Sequence, residues 1–281
     1  MKSNKLKAFT AAVLLGILGG VFTGTAGASE VVINGSTTVL PFAQIAVERF
    51  IAANPAVKMS ISGGGTGNGI KALIDKTTNI AMASREIKKS EVDQAKAKGV
   101  NPFEVTVALD CIVPMVHPTN FVENLTFEQL KKIYTGAITN WKDVGGPDAP
   151  IAVIGRDSSS GTYGTWQEMV VEKGDGEQKS RVTPRAQVTA SSGAMLTTVA
   201  GNKFAIGYDG IGYVDNTVRA VKVEGIGASV VSAKDGTYPL SRKLYMYTDG
   251  SPAGNVKSFI DYLLSADGQK IVSDTGFVSI K

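Results

Sequence analysis

Cysteine and histidine are almost missing: the 281-residue chain has one of each, Cys111 and His117. A lone cysteine forms no internal disulfide even in an oxidising compartment. Its setting, Ala108-Leu109-Asp110-Cys111-Ile112-Val113, is that of a small buried apolar residue. Zinc sites built from cysteine or histidine lack their ligands, and a Ser-His-Asp arrangement has a single histidine to draw on. Surplus charge is missing too, once the leader is set aside. Lys2, Lys5 and Lys7 precede the apolar run Ala11 to Val21, and small residues follow up to Ala26-Gly27-Ala28, the pattern of a secretory signal peptide. Cleavage is expected after Ala28. Removing those three lysines from 29 basic residues leaves 26 against 25 acidic ones. The remaining basic pairs, Lys88-Lys89 and Lys131-Lys132, read as solvated helix faces, so no nucleic-acid footprint is expected. No later apolar run is long enough to span a membrane, and no cysteine near Ala28 offers a lipid anchor. These features predict a soluble, exported protein, periplasmic or secreted.

What the chain does have is a repeated plan. Short β-rich runs alternate with helical patterns over the 253 residues after the leader, which predicts α/β architecture in about two domains. Val31-Val32-Ile33 runs into Asn34-Gly35-Ser36-Thr37-Thr38, and Pro41 then opens a helix bearing Phe42, Ile45, Ala46 and Phe50. Val57 to Ile61 runs into Ser62-Gly63-Gly64-Gly65-Thr66-Gly67-Asn68-Gly69, ahead of Ile70, Leu73 and Ile74 at helical spacing. That loop is neither a Walker A loop nor a dinucleotide fingerprint. Ile151 to Ile154 runs into Gly155-Arg156-Asp157-Ser158-Ser159-Ser160-Gly161-Thr162 and then a helix with Tyr163, Trp166, Met169 and Val170. Each turn read alone fits a helix cap or a flexible glycine turn as well as a ligand contact. Three of them, each opening a helix, point to N-termini converging on one anion.

Two charged residues add to that. Arg85 follows the strand Asn79 to Ala83 at its C-terminal end, where crevices form in open α/β sheets; pairing with Glu86 is the ordinary alternative. Asp110 interrupts the longest β-like run, Phe103 to Val116, and a carboxylate there needs an arginine partner or a ligand. Elsewhere, Ser90 is read as a cap for a helix ending at Gly99, and Thr126 to Gln129 as a capping box for a helix through Tyr134. Ser191-Ser192-Gly193 reads as one more turn into a helix. Phe204 to Tyr208 and Gly212 to Val214 read as strands, and the segment after Ser251-Pro252 as an amphipathic helix. Residues 174–185 read as a loop or short helix. Because each hydrogen bond to a charged group contributes about 1.5–3 kcal/mol and micromolar binding needs about 8, the anion site is expected in a cleft rather than on an open surface.

The segments Asn34 to Pro41, Gly63 to Lys71, Ala83 to Ile87, Leu125 to Leu130, Ile133 to Trp141, Ser159 to Thr162 and Ile206 to Tyr208 together resemble, in order, the periplasmic phosphate-binding proteins of phosphate ABC transporters. The resemblance implies a type II periplasmic-binding-protein fold: two α/β domains joined by crossover segments, with the ligand cleft between them. It places the crossings near Ile112 to Pro118 and Gly207 to Val214, giving domain I as 29–111 plus 212–281 and domain II as 112–211. It implies phosphate held by Ser36, Thr37, Thr38, Thr66, Arg156, Ser160, Gly161 and Thr162. Arg85 stands where some members carry a proton-accepting aspartate, and is expected to donate to the anion. Asp110 is then the candidate acceptor, with pairing to Arg85 as the other reading. No cofactor or metal is implied. The expected partners are a membrane permease and its ATPase, and the expected state is a monomer. The alternatives are a receptor for sulfate, molybdate, tungstate or a phosphonate and, from a different class, a secreted phosphohydrolase, for which no activated nucleophile or acidic metal cluster is legible.

Overall fold

The structure, a computed structural model, describes residues 30–281; the expected signal peptide and its cleavage site lie outside the described residues. Strand β1 (Val31–Gly35) turns into helix α1 (Leu40–Ala53), which buries Phe42, Ala43, Ala46, Val47 and Phe50. Strand β2 (Met59–Gly63), helix α2 (Thr66–Ile74) and strand β3 (Ile80–Ala83) follow. Helix α3 (Lys89–Ala97) starts one residue ahead of the expected Ser90 cap, because the Glu91 carboxylate accepts from the Lys88 N–H at 2.8 Å. Strand β4 (Pro102–Val116) is the longest element.

The second half repeats the plan. Strand β5 (Asn124–Leu125) leads to helix α4 (Phe127–Thr135), whose capping box of Thr126 and Gln129 forms as expected, and which ends on Gly136 in the left-handed region. Strand β6 (Ala152–Arg156) runs into helix α5 (Gly161–Trp166), which widens into a π-helical turn over Gln167–Val171. Residues 174–185 contain no helix. Strand β7 (Gln187–Thr189), helix α6 (Ser192–Ala200) and strand β8 (Ala205–Gly210) complete the unit. The strand expected at Gly212 to Val214 is instead a 3-10 turn, Ile211–Tyr213. The chain closes with strands β9 (Arg219–Ala220) and β10 (Lys222–Val223), helix α7 (Val230–Lys234), strand β11 (Ser241–Asp249) and helices α8 (Gly254–Leu264) and α9 (Ala266–Asp274).

The strands order as β2-β1-β3-β11-β4-β8-β6-β7, with β9 also on β4 and β10 paired to β5. The contacts β2–β1–β3 and β8–β6–β7 are parallel, and β11 and β4 run antiparallel between them. This makes a two-lobed type II periplasmic-binding-protein fold. β4 is the shared rail: Pro102 to Cys111 pairs with β11, and Ile112 to Val116 pairs with β8. One core collects Val31, Ile33, Phe42, Phe50, Met82, Leu244 and Phe259, and the other collects Val116, Leu130, Ile133, Tyr134, Trp141, Trp166, Ile206 and Tyr208.

β4 changes partner from β11 to β8 between Cys111 and Ile112, and packing puts the return later than Gly207 to Val214. Val221, Val223, Ala233, Tyr238 and Leu240 pack in the second core, because β9 pairs with Met115 and Val116 and β10 with β5. The chain re-enters the first lobe with β11, near Ser241. Residues 218–240 therefore follow the second lobe, not the expected 212–281 unit.

Candidate oxyanion site

The C-terminal ends of the parallel strands in both lobes face one seam, where ligand crevices form in such sheets. After β1 come Ser36, Thr37 and Thr38; after β3, Ser84; at the end of β6, Arg156; after β7, Ser192; on β8, Asp209. All seven are buried.

Arg156 is the centre. It is 3 % exposed. Its Nη1 donates to Asp209 Oδ2 at 2.8 Å and to Ser192 Oγ at 3.0 Å, and its Nη2 donates to Thr37 Oγ1, on the opposite lobe, at 2.9 Å. Its Nε has no protein acceptor among the described residues. A buried, charged donor left unmatched costs about 1–3 kcal/mol or more, so this atom calls for an acceptor that the chain does not supply.

Hydroxyls surround it. Thr38 Oγ1 lies 2.9 Å from Thr162 Oγ1 and within 3.5 Å of Asp209 Oδ1 and of Ser192 Oγ. Ser192 donates to Asp209 Oδ1 at 3.0 Å. Ser36 sits behind this group, its Oγ accepting from the Thr38 N–H at 3.2 Å. Ser160 caps α5 by accepting from the Tyr163 N–H at 3.1 Å, which leaves the N–H groups of Gly161 and Thr162 in a first turn without intrahelical acceptors. Position 161 must be glycine, since a Cβ there would lie 2.4 Å from Thr66 Oγ1 and 2.6 Å from Ser84 Oγ. The start of α5 thus touches the other lobe directly.

Behind the hydroxyls stands a second buried pair. Arg242, on β11, donates from Nε and Nη2 to Asp110 Oδ2 at 2.9 and 2.7 Å, from Nη1 to the Ser84 carbonyl at 2.9 Å and from Nη2 to Thr162 Oγ1 at 3.0 Å. Asp110 Oδ1 accepts the Ile211 N–H at 3.0 Å. Burial pushes the Asp110 carboxyl above its ordinary range, against the pull of Arg242. Asp110 therefore pairs with an arginine, as one reading of the sequence allowed, but the partner is Arg242 and not Arg85.

Of the expected site residues, the structure brings together Ser36, Thr37, Thr38, Thr66, Arg156, Ser160, Gly161 and Thr162. It does not bring in Arg85. That guanidinium donates to both carboxylate oxygens of Glu91, at 2.8 and 2.7 Å, and to the Glu86 carbonyl at 2.8 Å, so its fork is occupied beside the cluster. Sequence reasoning missed Ser84, Ser192, Asp209 and Arg242 as members of the site. Ser192 lies in Ser191-Ser192-Gly193, which the sequence marks as one more turn into a helix. Asp209 follows Ile206-Gly207-Tyr208, and its carboxylate among apolar residues was the same kind of signal as Asp110. Nothing local marks Arg242; only strand register places it opposite Asp110.

An aromatic stack holds α5 and β8 in place. Trp166 and Tyr208 stack at 4.2 Å and 2°, and Tyr134 meets both edge-on. Among the described residues, no three His, Cys, Asp or Glu side chains are grouped to hold a metal ion. What converges on the seam is one arginine with an unmatched N–H, helix-start N–H groups, hydroxyls able to donate or accept, and one carboxylate. That set is complementary to a tetrahedral oxyanion that carries a proton.

Comparison with known proteins gives the chain its relatives. Residues 20–267 match the family model of the PBP superfamily domain. The chain is 33 % identical over 255 residues to the phosphate-binding protein PstS of Borreliella burgdorferi, covering 89 % of each chain. It is 32 % identical over 251 residues to the phosphate-binding protein PstS of Bacillus subtilis, covering 88 % of this chain and 80 % of that one. A Clostridium perfringens structure, described as a phosphate ABC transporter substrate-binding protein with bound phosphate, superposes with a TM-score of 0.81 at 38 % identity, over 90 % of this chain and 100 % of that one. An ABC-type phosphate transport receptor from Vibrio cholerae gives 0.72 at 34 %, over 88 % and 99 %. With a family match spanning most of its length and relatives above the level at which family is in question, the chain belongs to the PBP superfamily and, within it, to the PstS family of phosphate-binding proteins.

Proposed function

We propose that this chain is an exported receptor that captures inorganic phosphate between its two lobes and delivers it to the permease of an ABC transporter. The observation that carries this is the unmatched Nε–H of buried Arg156, held by Asp209 and Ser192 of its own lobe and by Thr37 of the other. The ligands would be Arg156, Thr37, Thr38, Ser192, Thr162, Thr66 and the N–H groups at the start of α5. Thr38, Thr66, Thr162 and Ser192 are each no more than 1 % exposed, which favours a free ion over an ester carrying a substituent. The lobe contacts support a receptor that engulfs its ligand and presents the closed form to its membrane partner.

Asp209 is the better candidate for reading the ligand's proton. Both carboxylates are fully bonded, but Asp110 is held by Arg242 and the Ile211 N–H behind the hydroxyls, whereas Asp209, which also accepts the Gly210 N–H at 2.8 Å, takes two of its bonds from Thr38 and Ser192, hydroxyls that a ligand's proton can replace. Hydrogen phosphate can donate to that carboxylate; sulfate has no proton to give and would face it as a like charge. A hydrolase reading finds little support, since Ser160 caps a helix and Ser192 bonds directly to Asp209 with no histidine between them. Calorimetric titration with phosphate, sulfate, molybdate, tungstate and a phosphonate tests the proposal. Tight, one-to-one phosphate binding with weak sulfate binding is expected, and tight sulfate binding without a phosphate response would overturn it.

A further inference from the structure

Beside the ligand cluster, the two lobes are tied by a contact that uses none of the proposed ligands except the N-terminal turn they sit on. Asp157 and Ser159 belong to the turn between β6 and α5, and Gly64, Gly65 and Gly67 to the glycine loop that opens α2 on the other lobe. The Gly67 N–H donates to the Ser159 carbonyl at 2.8 Å, a main-chain bond across the seam. The Ser159 hydroxyl has two acceptors within reach, Asp157 Oδ1 of its own turn at 2.5 Å and the Gly64 carbonyl of the other lobe at 3.2 Å. One proton serves one acceptor fully, and with the lobes in contact the shorter bond is to Asp157, so the Gly64 carbonyl takes the weaker share and the Gly67 main-chain bond the larger part of the tie. Asp157 also receives the Ser159 N–H at 2.8 Å, which fixes the turn.

The glycines make this approach feasible. Gly65 has φ +94°, and a Cβ there would lie 2.2 Å from Ser159 Oγ; a Cβ at Gly67 would lie 3.4 Å from the Ser159 carbonyl oxygen. Arg85 backs the same contact. A Cβ at Gly164 of α5 would lie 3.3 Å from Arg85 Cδ, and Glu91 holds the guanidinium in that place. The residue expected to donate to the ligand is packed instead between the lobes.

We propose that Ser159 and the glycine loop form a latch that sets how long the closed form lasts, and hence the rate of phosphate release, without contacting the ligand. This rests on the phosphate reading above. Because the latch forms only on closure, its loss acts on dissociation and leaves association unchanged.

The test is stopped-flow phosphate association and dissociation on the wild type, Ser159→Ala and Gly67→Leu. Ser159→Ala removes one cross-lobe donor, and release should quicken about three- to tenfold. Gly67→Leu suits the first turn of α2, where Gly67 lies, but its Cβ already meets the Ser159 carbonyl oxygen at 3.4 Å and the rest of the side chain has to fit into the seam beyond it, so release should quicken about tenfold or more with the melting temperature of the unliganded protein kept. Association should stay within about twofold in both. Wild-type release rates in both variants would overturn the latch, as would equal losses in association. A wild type that does not bind phosphate would count against the phosphate reading; the latch is then read by small-angle scattering, where both variants should be more expanded than the wild type and equal dimensions would overturn it.

Discussion

Arg156 with Asp209 and Arg242 with Asp110 are the same chemistry at nearly the same depth, with ion-pair distances of 2.8 and 2.7 Å. They differ in what is left over. Arg242 spends every guanidinium nitrogen on the protein: two on Asp110, one on the Ser84 carbonyl, with Nη2 reaching Thr162 as well. Arg156 keeps one nitrogen unmatched, and its carboxylate partner lies among hydroxyls rather than behind them. Burial alone therefore does not separate the two arginines; the accounting of donors, taken together with the hydroxyls around Arg156, does, since Arg219 also has an unmatched Nε but lies away from the seam, donating to the Asn120 and Val122 carbonyls. The first pair is the one we propose as the ligand's seat. The second joins β4 to β11, where the chain passes between lobes, and fixes Thr162 from behind.

Substitution should split the two pairs, most strongly at Arg156. Arg156→Lys keeps the charge but loses the Nε donor and the planar fork, and phosphate affinity should fall by about a hundredfold or more in calorimetry. Arg242→Lys leaves Asp110 poorly matched: its melting temperature should fall by about 10 °C, while phosphate affinity changes by less than about tenfold. Equal affinity losses in both variants would erase the distinction. The carboxylates sharpen it further. Asp209→Asn should reduce the preference for phosphate over sulfate by about tenfold, since the amide no longer repels an unprotonated anion. Asp110→Asn should leave that preference intact and lower stability instead; a loss of sulfate rejection there would return the proton-reading role to Asp110.

The smallest effect concerns the arginine outside both pairs. Glu91 is half-buried, which raises its pKa, but hydrogen bonds from Arg85 outweigh this and hold the carboxyl below its ordinary 4.5. A depressed folded pKa stabilises above the unfolded value, and the gain is lost as pH falls through the folded one. Glu91→Gln should therefore flatten the acid side of the stability curve below about pH 4.5, in denaturant titrations at fixed pH. An unchanged acid limb would mean that Arg85 is not held by Glu91 in solution.

Much of this was legible in the sequence because it is local. The strand, hydroxyl turn and helix plan, the capping box at Thr126 and the pivot strand Phe103 to Val116 depend on residues within a few positions of one another, and the structure forms them. The hydroxyls that gather at the seam, Ser36, Thr37, Thr38, Thr66, Ser160 and Thr162, were legible for the same reason. What escaped depends on register and on competition between distant partners. Arg85 stands at the right end of the right strand, yet α3 starts early enough for Glu91 to take both of its terminal nitrogens. Arg242 became visible only when β11 lay antiparallel to β4 and put it opposite Asp110. The return crossing was misplaced because β9 and β10 carry only two residues each, too few to show a pattern, yet they keep residues 218–240 with the second lobe.

The central claim is that the unmatched Nε–H of Arg156 is completed by phosphate. It is tested most directly by following arginine Nε–H resonances during phosphate titration, with Arg156 and Arg242 assigned from the two lysine variants. The account predicts that the Arg156 signal moves downfield and saturates at one equivalent of phosphate, while that of Arg242, already bonded to Asp110, barely moves. An unmoved Arg156 signal in a protein that binds phosphate, or a large shift at Arg242 in its place, would contradict it.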